Sequence, residues 1–170
     1  MNVRKMLFAL TKQGSPFHYR KHFCAVPNLS WGLLEWEADL AVVTNSGWLW
    51  EVEIKVRSAD WHIDKEKAKW VLMEKPGALV PRRFYYAAPH ELALRWEVFG
   101  IPEWAGVVGV REDPQGRLST TILRRPTDRV AARKLTPEEQ LKTARLASMR
   151  FWGENHRAIL RQEWAARTKT

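Results

Sequence analysis

The sequence predicts an α/β domain: a mixed β-sheet flanked by helices, with a C-terminal helical extension. Three observations carry that expectation. Residues 36–56 read as two strands joined by a tight turn, an antiparallel pair. A helix and then a further strand follow, and the order strand–helix–strand implies a right-handed crossover and a parallel pair beside the hairpin. Past Pro126 the chain changes character, and a strongly signalled helix start follows at Thr136.

The elements follow in order. Residues 3–12 suit a short helix, stopped by Gly14-Ser15-Pro16. Residues 19–26 alternate in part and read as a strand, ended by Pro27-Asn28. After the hairpin, Ser58 or Asp60 can cap a helix running to residue 73, with Trp61, Lys65, Ala68 and Leu72 on one stripe. Lys75-Pro76-Gly77 ends it. Residues 83–88 read as a strand in which Phe84-Tyr85-Tyr86 is buried. Pro89 starts a turn, and residues 90–99 read as a helix. Residues 105–111 suit a buried strand, Asp113-Pro114-Gln115-Gly116 a turn, and residues 118–123 a further strand. Thr136-Pro137-Glu138-Glu139 combines a threonine cap, proline at the first helical position and glutamate at the third. That helix can run to residue 164, with a weak point at Gly153. The division is a core over residues 1–125 and a basic helical extension over residues 126–170, packed on the core as one domain.

The hairpin is the informative stretch. Asn45-Ser46-Gly47 suits a three-residue loop, a type I turn closed by a glycine in the left-handed region. Thr44 then pairs with Trp48, and paired residue numbers sum to 92. One face collects Ala38, Leu40, Val42, Trp48, Trp50, Val52, Ile54 and Val56, a core face. The other carries Glu37, Asp39, Ala41, Glu51, Glu53 and Lys55, with Asp39 opposite Glu53 and Glu37 opposite Lys55. A two-residue Ser46-Gly47 loop would instead pair Asp39 with Ile54 and split the acids between faces. The apolar alternation favours the first register. Like charges directly opposed on a sheet are destabilising, and a divalent cation taking both carboxylates resolves the repulsion. A solvated hairpin face with an ordinary Glu37–Lys55 surface pair is the alternative.

Composition narrows the class. The chain has 170 residues, 45% of them hydrophobic, with ten tryptophans, which is enough for one folded core. Cys24 is the one cysteine, so no internal disulfide forms, and a reducing, cytoplasmic setting is expected. The histidines at 18, 22, 62, 90 and 156 have no zinc spacing. No run is long enough to span a membrane. Residues 1–10 are not expected to be a signal peptide, because Thr11-Lys12-Gln13 follows without a cleavage site. No phosphate-binding P-loop, dinucleotide fingerprint or serine-nucleophile elbow occurs. The net charge of +9 is uneven: residues 35–66 hold eight acids against three bases, and residues 124–170 hold twelve bases against five acids. An acidic centre in a basic chain suits metal-assisted chemistry on a polyanion. A chain that is merely basic fits the charge equally well. Lys65, Lys67 and Lys69, and the arginines at 145, 150, 157, 161 and 167, can be read as phosphate contacts or as solvated faces.

Asp39, followed fourteen residues on by Glu53-Ile54-Lys55, resembles the D…(D/E)xK signature of the PD-(D/E)xK nuclease superfamily. Glu37-Ala38-Asp39-Leu40, Glu51-Val52-Glu53-Ile54-Lys55, Ser58-Ala59-Asp60, Asp64-Lys65 and Phe84-Tyr85-Tyr86-Ala87-Ala88-Pro89 together resemble its MmcB-like DNA-repair branch and related phage-borne nucleases. The resemblance covers residues 20–112. Ala38 stands where the motif name has proline, and no acid precedes Glu35 to serve as a first-helix glutamate. The resemblance implies a restriction-endonuclease-like fold and hydrolysis of DNA phosphodiester bonds with Mg²⁺ or Mn²⁺, in repair, recombination or phage DNA metabolism. It implies that Asp39, Glu53 and the Ile54 carbonyl hold the metal and that Lys55 acts on the attacking water. Glu37 is placed to hold Lys55 or a second ion. DNA is the expected partner, with RNA and a homodimer left open and no membrane involved. The alternatives are a nucleic-acid-binding protein on the same fold without catalysis, and a viral protein that binds a host partner.

Overall fold

The computed structural model describes residues 1–30, 33–64 and 66–167, apart from the side chains at 62, 63, 162, 163 and 165–167. Lys65 and the Arg167 side chain, both read above as phosphate contacts or solvated faces, lie outside the described residues. In chain order the elements are α1 (Val3–Thr11), β1 (Cys24–Leu29), β2 (Ala38–Val43), β3 (Leu49–Ile54), α2 (Ala59–Asp64), α3 (Lys69–Leu72), β4 (Arg83–Pro89), α4 (His90–Ala93), β5 (Gly106–Glu112), β6 (Leu118–Arg124) and α5 (Pro137–Arg167). The six strands form one sheet in sequence order. β3–β4 and β4–β5 are parallel, and the other pairs are antiparallel. This is the mixed sheet with flanking helices and a C-terminal helix that the sequence predicts.

The hairpin takes the expected register. Leu40 pairs with Val52 and Ala41 with Glu51, so paired numbers sum to 92. Gly47 donates to the Thr44 carbonyl at 2.9 Å, closing the type I turn, and its φ of 83° requires glycine. The Gly47 carbonyl in turn accepts the Leu135 N–H at 2.8 Å, which ties the turn to the segment before α5.

Both faces of the sheet are covered. α1 lays Met6, Ala9 and Leu10, with Phe17, on Leu40, Val42, Val52, Ile54, Tyr85 and Val108. The opposite face meets the β3–β4 crossover, where Trp61 and Met73 pack with Phe84, Tyr86, Phe99 and Val107. Further toward β1, Leu79 and Leu135 cover Val26, Ala41, Val43 and Leu49. The start of α5 lies against β1 with Leu146 and Ala147, and Arg150 donates to the Asn28 carbonyl at 2.9 Å. α5 begins with the expected capping box: Glu139 N–H donates to Thr136 Oγ1 at 3.2 Å, and Thr136 N–H donates to Glu139 Oε2 at 2.8 Å. The helix continues through Gly153.

Three expectations are corrected. β1 runs through Pro27 instead of ending there; it lies at the sheet edge, where a missing N–H is tolerated. The helix expected from residue 58 to 73 is two short helices. The Asp64 carbonyl accepts the Lys67 N–H at 3.2 Å and the Trp70 indole N–H at 2.6 Å, so it does not continue an α-helical ladder. The helix expected over residues 90–99 ends at Ala93, and beyond it Arg95, Trp96, Val98 and Gly100 make tighter bonds to carbonyls three residues back.

Candidate functional site

The polar face of the hairpin is buried. An antiparallel sheet can keep one face wet, as the solvated hairpin face weighed above would require. A parallel pair needs a crossover, and here the crossover crosses that face. Glu51 is fully buried, and Glu53 and Lys55 are each 2% exposed. Alternation along β3 points all three the same way, toward α2 and α3.

Glu53 is the centre of the cluster. Its Oε1 accepts from Lys55 Nζ at 2.9 Å and also from Lys67 Nζ, and its Oε2 accepts from Lys69 Nζ at 2.7 Å. Asp64, at the end of α2, takes Lys55 Nζ on Oδ1 at 2.7 Å and the Tyr86 hydroxyl on Oδ2 at 2.5 Å. Lys67 and Lys69 lie 3.3 and 3.8 Å from the same Oδ1. Glu51 Oε2 accepts the Trp36 indole N–H at 3.0 Å, while Oε1 has no hydrogen bond and lies 3.6 Å from Lys69 Nζ. Lys69 also stands 4.6 and 4.7 Å from the ring centres of Trp70 and Phe84.

Burial and charge set the titration of these groups. Burial works to raise the Glu53 carboxyl, but the Lys69 and Lys55 ammoniums prevail and hold it well below the usual carboxylate range. Burial pushes Glu51 up to about 7, against the pull of Lys69 and the Trp36 hydrogen bond. Asp39 is raised by burial and then by the Glu53 charge, although the Ile54 N–H bond opposes this. Burial raises Tyr86 further, with the Asp64 charge behind it.

Asp39 sits just inside β2, half-buried, in the register that faces it toward Glu53. Its Oδ2 accepts the Ile54 N–H at 2.7 Å. Asp39, Glu53 and Lys55 therefore share one face and one neighbourhood. Glu37 lies before β2 and is exposed; it lines a groove of about 360 Å³ with Trp36, Lys67 and Lys69. Lys55 is held by Glu53 and Asp64, so the expected Glu37–Lys55 pairing gives way to a buried one. Asp64 and Tyr86 line a second groove, of about 240 Å³, with Trp61 and Phe99.

Asp64 and Tyr86 were not among the predicted site residues, and Lys69 was read only as a phosphate contact or part of a solvated face. Asp64 carried a signal, an acid three residues after Trp61 on a helix that must cover the sheet. Lys69 carried none: on an unbroken helix it reads as part of a lysine face, and the break after α2 turns it inward, to 3% exposure. Exposed arginines 145, 150, 157 and 161 lie along α5. Of these, Arg150 holds β1 and Arg157 pairs with Glu154 at 2.5 Å.

The donor set suits a hard divalent cation in kind, since Asp39 and Glu53 offer carboxylate oxygens from adjacent strands of one face. Among the described residues, no group of three or more His, Cys, Asp or Glu side chains is arranged to hold a metal ion. The ammoniums of Lys55, Lys67 and Lys69 already engage both Glu53 oxygens. No helix among the described residues is long and apolar enough to cross a membrane.

No protein-family model and no curated protein matches the chain. Among solved structures, the chain is similar to a protein of unknown function from Silicibacter pomeroyi, with a TM-score of 0.59 at 15% identity over 96% of this chain and 94% of that one. At that identity the similarity establishes a shared α/β fold spanning nearly the whole of both chains.

Proposed function

We propose that this chain is a Mg²⁺- or Mn²⁺-dependent nuclease that hydrolyses phosphodiester bonds in DNA, acting in the cytoplasm. The observation that carries the reading is the juxtaposition of Asp39, Glu53 and Lys55 on one face, with Lys55 Nζ 2.9 Å from Glu53 Oε1. The resemblance to the PD-(D/E)xK signature supports it. Asp39, Glu53 and the Ile54 carbonyl would hold the cation, which when bound supplies Lewis-acid stabilisation of phosphoryl charge. Lys55 donates toward the attacking water and the charge that grows on the phosphate oxygens. Asp64 and Tyr86 position Lys55, since the Asp64 carboxylate bridges the Lys55 ammonium and the Tyr86 hydroxyl.

A second reading, a nucleic-acid-binding protein on the same fold without catalysis, is favoured by one observation: three ammoniums close on a carboxylate that is 2% exposed. One experiment separates the two. Labelled duplex, single-stranded, flap and junction DNA, with RNA counterparts, are incubated with Mg²⁺, Mn²⁺ or EDTA. The nuclease reading expects metal-dependent cleavage that Asp39→Asn and Lys55→Ala each reduce by about a hundredfold or more, with DNA binding in EDTA retained. Binding without cleavage in any metal supports the second reading. Equal cleavage by wild type and Asp39→Asn overturns the site.

A further inference from the structure

We infer that Lys67 is a displaceable counter-ion: its ammonium holds Glu53 in the place a divalent cation would take, and loading of the Asp39–Glu53 site requires it to leave. The inference rests on the nuclease reading and adds a means of regulation to it. Glu53 accepts from three ammoniums, which differ in their freedom. Lys55 and Lys69 are 2% and 3% exposed and are fixed beside a strand and in a helix. Lys67 is 40% exposed and lies in the link between α2 and α3, on the groove that it shares with Trp36 and Glu37. It alone of the three can swing into solvent without uncovering the core.

Glu51 supplies an independent pointer to a ligand. It is fully buried, and its Oε1 has no hydrogen bond and is turned toward Lys69 in the cluster. That atom is a second acceptor for Lys69 when Glu53 is drawn toward a cation. Withdrawing Lys67 removes one positive charge from beside Glu53 and Asp39, the two carboxylates that would take the cation.

The test is Mn²⁺ binding to the full chain, followed by calorimetry and by the loss of the free-ion electron paramagnetic resonance signal. Lys67→Met is expected to bind Mn²⁺ about tenfold more tightly than wild type, because a unit positive charge a few ångström from the site is gone. Lys67→Gln should do the same, giving a second folded background at this part-exposed position. Lys67→Arg, which keeps the charge, should bind no more tightly than wild type. Asp39→Asn should remove the gain from Lys67→Met. Equal affinity of wild type, Lys67→Met and Lys67→Gln overturns the inference while leaving the nuclease reading standing. Absence of Mn²⁺ binding by all of them at millimolar ion overturns the nuclease reading, and the inference with it.

Discussion

β3 is buried on both faces, and the two faces are made of opposite chemistry. Under α1, Val52 and Ile54 pack with Leu40, Val42, Phe17 and Tyr85. Under the crossover, Glu51, Glu53 and Lys55 meet Asp64, Lys67 and Lys69. The first face stabilises by removing apolar area from water, about 25 cal/mol per Å². The second must recover the desolvation of several charges through mutual attraction, which roughly breaks even at best. Apolar side chains of similar volume would serve stability as well there. The proposed function would give the charged face a use other than stability.

Removing one charge should break the comparison most. Glu53→Gln leaves three ammoniums facing a neutral amide, and urea unfolding should show a loss of about 3–5 kcal/mol. A loss below about 1 kcal/mol would mean that the lysines simply turn to water and that the cluster is only loosely held. Leu40→Ala acts on the other face. Leu40 is fully buried, and the cavity should cost about 3 kcal/mol, with no change in Mn²⁺ binding. A change in ion affinity there would show that the two faces are coupled through the strand.

Glu51 sharpens the contrast through pH. Its carboxyl is raised in the folded state from 4.5 to about 7, chiefly by burial. Between those values the folded protein keeps a proton that the unfolded chain has released, so stability falls as pH rises through the window. Below the window both states are protonated and Glu51 makes no contribution. The loss should be on the order of 3 kcal/mol. Glu51→Gln should flatten this part of the profile and leave the variant the more stable of the two above pH 7. Equal slopes in urea titrations of the two proteins across the window would show that Glu51 does not set it. Glu53 has the opposite sign. Its depressed carboxyl contributes stability above its unfolded value, and that stability is lost on acidification through the folded one. The smallest effect belongs far from both faces. Thr136→Ala removes the acceptor for Glu139 N–H and should cost about 1 kcal/mol in thermal unfolding, with metal binding unchanged.

Much of this architecture is legible in local chemistry. Asn45-Ser46-Gly47 determines the loop, the loop determines the register, and the register puts Asp39, Glu53 and Lys55 on one face. Thr136, Pro137 and Glu139 start α5 because each satisfies a geometric need of a helix N-terminus. The order strand–helix–strand sets the parallel β3–β4 pair. The turn and the helix start depend on residues within a few positions of one another, and the parallel pair depends only on the order of the elements.

Tertiary structure alone decided what covers the acids. Alternation says that Glu51, Glu53 and Lys55 share a side, but not whether that side faces water; the placement of the crossover over it makes the site a buried one. The same packing broke the helix expected across residues 58–73, because the Asp64 carbonyl goes to Lys67 and Trp70 and its carboxylate to Lys55 and Tyr86. Helical periodicity is a local property, and it placed Lys69 on a solvated stripe. The ion pairs to Glu53 and Glu51 that turn Lys69 inward join residues sixteen or more positions apart, and partners at such distances are chosen only when the sheet and its covering helices come together.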